Sequence, residues 1–216
     1  VEIGTAAVKA CMGGIRRDKS LELLGCQLVP NSHAVRKGEI ITAKRALDQL
    51  EETLNLLEAE SGKAVGATYL AVTGGHFGTV NAQGTIPITS EDQIVTEDDL
   101  VVATQHAREL SLPPDKLLVH SYQRTYVLDG NRHLSNPLGM VANRLSADIH
   151  NIYGDRNRIE AMLRLLLTQA GDDIREIAFS GIADFHALDP ETTARQGGVL
   201  LIDIGAGVSE YVLFHE

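Results

Sequence analysis

The spacing of apolar residues changes along the chain, and each spacing predicts a different element. Between residues 4 and 29, short apolar runs alternate with glycine-containing turns, a pattern typical of a meander of antiparallel strands. Leucines then recur every three or four positions over residues 42–61, which predicts a helix with one apolar face. A coiled-coil seam would show the same stripe, but a helix of this length is more typical of one packed on a sheet. The leucines of the stripe are Leu47, Leu50, Leu54 and Leu57.

Polar residues and glycines mark where the predicted helices begin and end. Thr42 can cap the first helix, and Gly62 suits a left-handed position at its C-terminus. A second helix is predicted to begin after Thr96, with acidic residues in its first turn, and to end before Pro113. A third helix is predicted over residues 155–170, where helical spacing returns.

Short apolar segments between the helices predict strands, and Pro87 confines one of them to a sheet edge. A strand, a helix and two further strands follow one another between Gly84 and about Tyr153, which indicates a small module inserted into a larger domain. The mixture of strands and helices indicates an α/β architecture. The predicted strands are residues 69–72, 84–88, 117–128, 144–149, 177–179 and 199–214, the last of them a hairpin.

Composition narrows the functional classes. The 216-residue chain is 44% apolar with a formal net charge of −10, which favours a globular protein and argues against nucleic-acid binding. Its apolar runs are too short for a transmembrane helix, its first residues do not form a signal peptide, and both ends suggest a fragment. Cys11 and Cys26 are too few for a disulfide framework, so we expect free, buried thiols in a reducing cytoplasm.

Two similar segments at opposite ends of the chain suggest a ligand site. Near the C-terminus an apolar strand ends on Asp203 and turns through Gly205 and Gly207 into a second strand. Near the N-terminus Glu2 and Gly4 repeat the order of acid, Ile, Gly and small residue before an apolar strand. A carboxylate at a strand end can hold a hydrated divalent cation, and glycines let backbone N–H groups approach a phosphate. The pair predicts a phosphate clamp, and the alternative is two ordinary strand-to-turn junctions.

Several segments, taken in order, resemble FtsA, a family of actin-like bacterial cell-division ATPases, and the resemblance covers nearly the whole chain. Its most specific part is the run Asn136-Pro137-Leu138-Gly139-Met140 with Arg144-Leu145, which general actin-fold ATPases lack. Residues 2–5 and 203–210 resemble the two phosphate loops of the family. Residues 35–40 resemble an early linker, and residues 69–76 resemble the strand and turn that lead into an inserted subdomain.

The resemblance implies an α/β, actin-like (ribonuclease H-like) ATPase fold with an inserted strand-helix-strand-strand subdomain. Residues 1–82 and 151–198 would form one actin-like subdomain, residues 83–150 the insertion, and residues 199–216 the start of a truncated second domain. It also implies ATP and Mg²⁺ as ligands, polymerisation into filaments, and a tether between the FtsZ ring and the inner membrane.

The partners implied by the resemblance lie partly outside this sequence. FtsZ and the membrane would be bound through regions beyond Glu216, the membrane through a C-terminal amphipathic helix. Self-association into filaments and contacts with later division proteins would use residues 83–150. The implied location is cytoplasmic and peripheral, on the inner face of the cell membrane at the division site, and no nucleic acid is expected to bind.

The resemblance also assigns roles to single residues. Asp203 would hold Mg²⁺ with Glu2 opposite, both mostly through water, because Mg²⁺ dehydrates reluctantly. Asp184, in a segment where an active-site loop could lie, is a candidate for positioning the attacking water; an exposed loop carboxylate is the alternative. Lys9 could reach a phosphate or simply face solvent. The residues expected to bind phosphate are Gly4, Thr5, Lys9, Gly205, Gly207 and Ser209.

Three departures from the family pattern bear on catalysis. In the first, Glu2 stands where the family usually has Asp. In the second, within the C-terminal loop, Ala206 replaces a glycine and Val208 replaces a hydroxyl residue. In the third, the segment Ser180 to His186 differs from the family's usual run of small residues. These changes favour nucleotide binding with slow or absent hydrolysis, so the chain would be at most a slow ATPase. They leave open a nucleotide-independent division scaffold with a degenerate ATPase site. A pilus-assembly actin-like ATPase with the same insertion is a third reading, against which the run at residues 136–140 argues.

Overall fold

The computed structural model describes residues 1–109, 112–188 and 198–214. Two compact units divide the chain, Val1–His76 with Asn157–Glu216 and Phe77–Arg156. The elements as far as the second helix are β1 (Glu2–Ile3), β2 (Ala7–Ile15), β3 (Leu21–Pro30), β4 (Val35–Arg36), β5 (Glu39–Ile40), α1 (Ala43–Ser61), β6 (Thr68–Val72), β7 (Gly78–Pro87) and α2 (Glu97–Glu109). The later elements are β8 (Lys116–Leu128), β9 (Arg132–Leu134), β10 (Arg144–Asp155), α3 (Arg156–Ala170), β11 (Ile174–Phe179), α4 (Ser180–Ala187), β12 (Val199–Ile204) and β13 (Ser209–Phe214).

The first unit is built on a five-stranded sheet in the order β11-β6-β1-β2-β3. β1 pairs antiparallel with β2 and parallel with β6, which in turn pairs parallel with β11. Helix α1 packs on β2 and β3 and buries Leu50, Leu54 and Leu57 of the predicted stripe. Gly62 ends this helix in the left-handed conformation, as predicted, whereas Thr42 makes no capping hydrogen bond through its side chain. No helix in the described residues is both long enough and apolar enough to cross a membrane.

The second unit is a four-stranded antiparallel sheet, β7-β10-β8-β9, with α2 packed on β7 and β10. The start of α2 is as predicted, because Thr96 N–H donates to the Asp99 carboxylate at 2.9 Å and Asp99 N–H donates to Thr96 Oγ1 at 3.3 Å. This reciprocal capping satisfies backbone groups that the first helical turn leaves without partners. The buried core of the unit comprises Ile86, Ile88, Val95, Ala103, Leu128, Ala142, Leu145 and Ala147.

Strand β7 is longer than the sequence predicts, since it spans Gly78–Pro87 rather than residues 84–88. Asn81, Ala82 and Gly84 are of residue types that are depleted in strands, so local propensity gives no signal there. The whole length is nevertheless paired with β10, from Gly78 opposite Tyr153 to Pro87 opposite Arg144. Pairing with a neighbour, rather than propensity, therefore makes this segment a strand.

The segment expected to be an active-site loop forms the short helix α4, Ser180–Ala187. A Cβ added at Gly181 would collide with Val212 of β13, so the glycine permits close packing of α4 on the hairpin. Phe185 of α4 also stacks on Phe214, with ring centroids 3.5 Å apart. These contacts anchor the β12–β13 hairpin in the first unit.

The β12–β13 hairpin carries apolar side chains on both faces but is packed on only one of them. The sequence predicts a buried strand here, yet the face turned away from α4 is solvent-exposed in the described residues. The exposed fractions on that face run from 57% at Leu200 to 80% at Ile204. The exposed apolar side chains are Leu200, Ile202, Ile204, Tyr211 and Leu213.

Cys11 and Cys26 are neither free nor buried, so that prediction was wrong. They lie opposite each other on β2 and β3, with Cα atoms 4.1 Å apart, and a disulfide joins them. Both residues are exposed. Antiparallel pairing brings two cysteines together whatever their total number, which a count of cysteines cannot reveal. Because the two cysteines are paired, free thiols no longer support the prediction of a reducing compartment.

We expect Gly84→Ala to destabilise the second unit. An added Cβ would collide with backbone atoms of Ala103 and Ala107 in α2, and relieving such overpacking costs about 1–3 kcal/mol. Urea unfolding followed by circular dichroism would measure the loss, and hydrogen exchange in β7 and β10 would locate it. Gly66→Ala is the matched control, because nothing lies within 4 Å of its added Cβ. Equal losses in the two variants would contradict the prediction.

Candidate functional site

The two segments singled out in the sequence form matching turns. In the β1–β2 turn the Gly4 N–H donates to the Ala7 carbonyl at 2.9 Å. In the β12–β13 turn the Gly205 N–H donates to the Val208 carbonyl at 3.0 Å. The turns also meet directly, since a Cβ added at Gly207 would lie 2.6 Å from Thr5 Oγ1. Glycine at this position is therefore required by the close approach of the two loops.

A cavity of about 60 Å³ lies between the two turns. A phosphate-sized anion or a few water molecules fit in this volume. Seven of the eight residues predicted to bind phosphate or metal line it, whereas Ser209 does not. The lining residues are Glu2, Gly4, Thr5, Ala6, Ala7, Lys9, Gly38, Thr73, Asp203, Gly205, Ala206, Gly207 and Val208.

Ser209 is placed away from the cavity by the register of the hairpin. It pairs with Ile204, while Asp203 pairs with Glu210. Directly opposite residues share a face and successive residues alternate, so Ser209 lies on the exposed apolar face. The expected hydroxyl contact from Ser209 is therefore not available in this arrangement, and Thr5 supplies the hydroxyl that faces the cavity.

The backbone donors at the cavity differ from those expected. Gly4 and Gly205 use their N–H groups inside their own turns, so they shape the loops rather than donate to a ligand. Asn31 fixes the first loop, because its side-chain amide donates to the Thr5 carbonyl at 2.7 Å. A trans peptide points its N–H opposite to its carbonyl, so the Ala6 N–H is turned away from Asn31. Ala6 and Gly207 are thus the better candidates for donating N–H groups to an anion.

The cavity is acidic. Lys9 Nζ lies 3.1 Å from Glu2 Oε2, and the two residues face each other across β1 and β2. Burial, followed by the charges of Asp203 and Glu2, raises the pKa of the Asp184 carboxyl. Neighbouring carboxylates with so little cationic compensation favour a divalent cation.

The donor set fits a hydrated Mg²⁺ rather than a directly coordinated ion. In the described part of the chain, no group of three or more His, Cys, Asp or Glu side chains is arranged to hold a metal. Asp203 and Glu2 line the cavity as carboxylate ligands that could act through water. Mg²⁺ usually retains several waters and takes only one or two carboxylates from the protein.

Glu210 joins the hairpin to the rest of the first unit. It is only 9% exposed, and its carboxylate accepts hydrogen bonds from Thr73 Oγ1 and Gly74 N–H, both at 2.8 Å. Ser180 Oγ, at the start of α4, donates to its second oxygen at 2.5 Å. Because Asp203 is paired with Glu210, fixing Glu210 also fixes Asp203 at the cavity.

Sequence reasoning missed four residues that build the site: Asn31, Gly38, Thr73 and Glu210. Glu210 could have been found, because an acid between apolar residues of a strand, opposite Asp203, must point inward with it. Gly38 sits at the tip of the β4–β5 hairpin with φ 72°, next to Lys37 with φ 52°. Their two positive φ angles fit a type I′ turn, which a Lys-Gly pair signals only weakly. Asn31 and Thr73 carry no local signal.

The profile of one protein family, the SHS2 domain inserted in FtsA, matches residues 74–153. The chain is 26% identical to the cell division protein FtsA of Borreliella burgdorferi over 99% of its own length and 51% of that protein. It is 24% identical to FtsA of Escherichia coli, over 99% of the chain and 50% of that protein. For FtsA of Bacillus subtilis the identity is 25%, over 99% of the chain and 48% of that protein. The chain thus spans about half the length of these curated relatives.

A solved structure, the PilM-PilN type IV pilus biogenesis complex, has a chain with a similar fold. The TM-score is 0.65 at 16% identity, covering 99% of this chain and 56% of that one. Likeness at this level of identity concerns the fold alone. Together with the match to the inserted domain, it confirms the expected actin-like α/β fold with an inserted subdomain.

Asp184→Asn is expected to stabilise the protein at neutral pH. The raised pKa means that ionised Asp184 costs stability, and the cost develops as pH rises from the ordinary value of 3.8 through the folded pKa. Solvent screening limits the gain to about 0.5 kcal/mol. Urea unfolding at several pH values would show the gain vanish in acid, where both states are protonated. Exposed Asp172→Asn is the control, and a gain that persists in acid would refute the electrostatic cause.

Glu210→Ala is expected to lower the free energy of unfolding by about 3 kcal/mol, because two buried donors and one half-buried donor lose their acceptor. Thermal and urea unfolding would measure the loss. The control is Glu22→Ala, whose ion pair with Arg16 is exposed and contributes about 0.5 kcal/mol or less. A loss at Glu210 no larger than at Glu22 would show that the buried carboxylate does not tie these segments together.

Proposed function

We propose that this chain is an FtsA-type, actin-like cell-division protein that binds ATP with Mg²⁺, because it is similar to FtsA proteins over 99% of its length and its residues 74–153 match the SHS2 domain inserted in FtsA. One observation carries the proposal for the site: two matching turns from opposite ends of the chain face each other across a small acidic cavity. Such turns present backbone N–H groups to an anion from both sides. A phosphate chain bound there would be held by both loops at once.

Individual residues take defined parts in this proposal. Asp203 and Glu2 would hold Mg²⁺ through water, and the ion when bound would neutralise charge on the phosphates. Ala6 and Gly207 would donate N–H groups, and the Thr5 hydroxyl would donate beside them. Gly4 and Gly205 would set the turn geometry.

Lys9 and Asp184 limit what the site does to the nucleotide. Lys9 lines the cavity but is paired with Glu2, so it would contribute to phosphate binding only by leaving that partner. Asp184 carries a raised pKa but does not line the cavity, so it is poorly placed to position an attacking water. We therefore propose binding with at most slow hydrolysis.

The remaining parts of the proposal concern the whole protein. Filament formation and contacts with later division proteins would use the second unit, Phe77–Arg156. Binding of FtsZ and attachment to the inner face of the cell membrane would use regions beyond residue 216. The protein would then connect the FtsZ ring to the membrane at the division site, from the cytoplasmic side.

A nucleotide-independent division scaffold is the second candidate. The Glu2–Lys9 ion pair favours the scaffold, because the Lys9 ammonium group that could contact a phosphate is paired with Glu2 instead. Ala206 and Val208 favour it as well, since neither offers a side-chain donor to the cavity. In that case the acidic cavity would be a relic of a nucleotide site.

Calorimetric titration of the full-length protein with ATP and Mg²⁺ tests the proposal. We expect saturable binding that Asp203→Ala weakens by at least tenfold, or about 1.4 kcal/mol. Asp172→Ala, an exposed carboxylate elsewhere in the first unit, is expected to bind like the unchanged protein. If the unchanged protein is folded by circular dichroism but binds no nucleotide, the ATP proposal fails and the scaffold replaces it.

A further inference from the structure

The second unit has one long sheet edge with no charge to protect it. In the described residues β7 pairs with β10 alone, so its other side is an edge. The ten residues Gly78–Pro87 include no Asp, Glu, Lys or Arg. Proteins usually protect long edges with charges, bulges or coverage, because an unpaired edge is a template for another strand.

The other edges of the two larger sheets are short, covered or charged. At the opposite edge of the same sheet β9 has three residues, and the part of β8 that β9 leaves unpaired includes a lysine and an arginine. β11, at one edge of the first sheet, has six residues, which include an arginine and a glutamate. β3, an edge strand of the first unit, is covered by α1, because Glu60 accepts hydrogen bonds from Cys26 N–H and Gln27 Nε2, both at 3.0 Å. β7 therefore stands out among the long edge strands of the described chain.

The direction of the backbone groups of β7 follows from one hydrogen bond. Ile88 N–H donates to the Asn143 carbonyl at 2.9 Å, so the backbone of Ile88 points toward β10. Alternate residues of an antiparallel strand point the same way, which directs the backbone groups at odd-numbered positions outward. Pro87, which has no N–H, occupies one of these outward positions, as expected at an edge. The other outward positions are Thr79, Asn81, Gln83 and Thr85.

We propose that two copies of this chain pair through β7, antiparallel, about a twofold axis at Ala82. The outward positions are chemically symmetric about that residue. In this register Thr79 would oppose Thr85 of the second copy, and Asn81 would oppose Gln83. Cross-strand Thr–Thr pairs stabilise antiparallel strands. Asn81 and Gln83 also hydrogen-bond through their side chains to β10, which fixes them beside the edge. The absence of charge matters most for self-pairing, because identical copies would otherwise bring like charges together.

Helix α2 is compatible with this arrangement. It packs over both β7 and β10, so it lies about one strand spacing from the proposed axis. With strands about 4.8 Å apart, the two copies of α2 would run about 10 Å from each other, the upper end of normal helix packing distances. Thr104 and Arg108 of α2 reach β8 through Gln123 and Ser121. The opposite side of the helix, with Val102 44% exposed, would face the second copy.

The proposed pairing is distinct from filament growth. A twofold contact uses the same surface on both copies and closes on itself, whereas a filament needs a head-to-tail contact between different surfaces. The β7 pairing therefore neither requires nor depends on nucleotide.

Cysteine cross-linking tests the register. Ala82 would meet its own copy in a non-hydrogen-bonded pair with Cα atoms about 4.5 Å apart, within the range of a disulfide. In the full chain carrying Cys11→Ser and Cys26→Ser, Ala82→Cys is expected to form a covalent dimer on mild oxidation. Thr79→Cys is the matched control on the same strand, because the two copies of position 79 would be about 20 Å apart. A Thr79→Cys dimer as abundant as the Ala82→Cys dimer would overturn the proposed register.

Sedimentation velocity over a range of concentrations tests the contact without cysteines. Gln83→Pro removes an outward N–H and is expected to shift the chain to monomer, while Gln83→Ala keeps that N–H and is expected to remain dimeric. Circular dichroism establishes that each variant is folded. If the unchanged chain is folded but stays monomeric at every concentration, and the Ala82→Cys variant forms no covalent dimer, the proposal is overturned. The edge would then serve a strand from another protein or none.

Discussion

The arrangement of the site depends on one buried carboxylate. Glu210 accepts hydrogen bonds from the turn that follows β6 and from the start of α4. These bonds hold β13, from the far end of the chain, against both segments. Burying a carboxylate is unfavourable unless its oxygens accept hydrogen bonds, so this position of the hairpin is favoured over any that would bury Glu210 without these donors. Asp203 is the cross-strand partner of Glu210. Glu210, which does not line the cavity, therefore fixes the position of Asp203, which does.

Charge explains why the proposed nucleotide site would need a metal ion together with the phosphates. Glu2, Asp203 and the nearby Asp184 outnumber Lys9, and burial together with the charges of Asp203 and Glu2 raises the pKa of Asp184. A phosphate alone would be repelled by these groups, in a chain whose net charge is already −10. A divalent cation would offset the negative charge of the cavity. The backbone N–H groups of the two turns would therefore bind a phosphate only when the ion accompanies it.

The sequence was informative where the signal is local and uninformative where it is not. Leucine spacing and Gly62 predicted α1, and the repeated acid-Ile-Gly order predicted two turns that the structure brings together. The use of the Gly4 N–H inside its own turn could not be predicted, because it depends on loop geometry. The Cys11–Cys26 pair depends on strand register in the same way. The position of Ser209 was predictable. Ile204 follows Asp203 and so lies on the opposite face of the hairpin, and Ser209 shares that face because it pairs with Ile204.

The cavity is acidic, whereas the β7 edge has no charged residue. The net charge of the chain bears on what each of them can bind. At −10, two copies repel each other at long range, and salt screens this repulsion over about 8–10 Å. Self-association must therefore rest on short-range contacts through a surface that adds no charge of its own. The edge of β7 meets that condition over its whole length, with backbone groups that only another strand can satisfy in the same regular pattern. An uncharged edge on an acidic chain is thus better suited to pairing with its own copy than its modest apolar content would suggest.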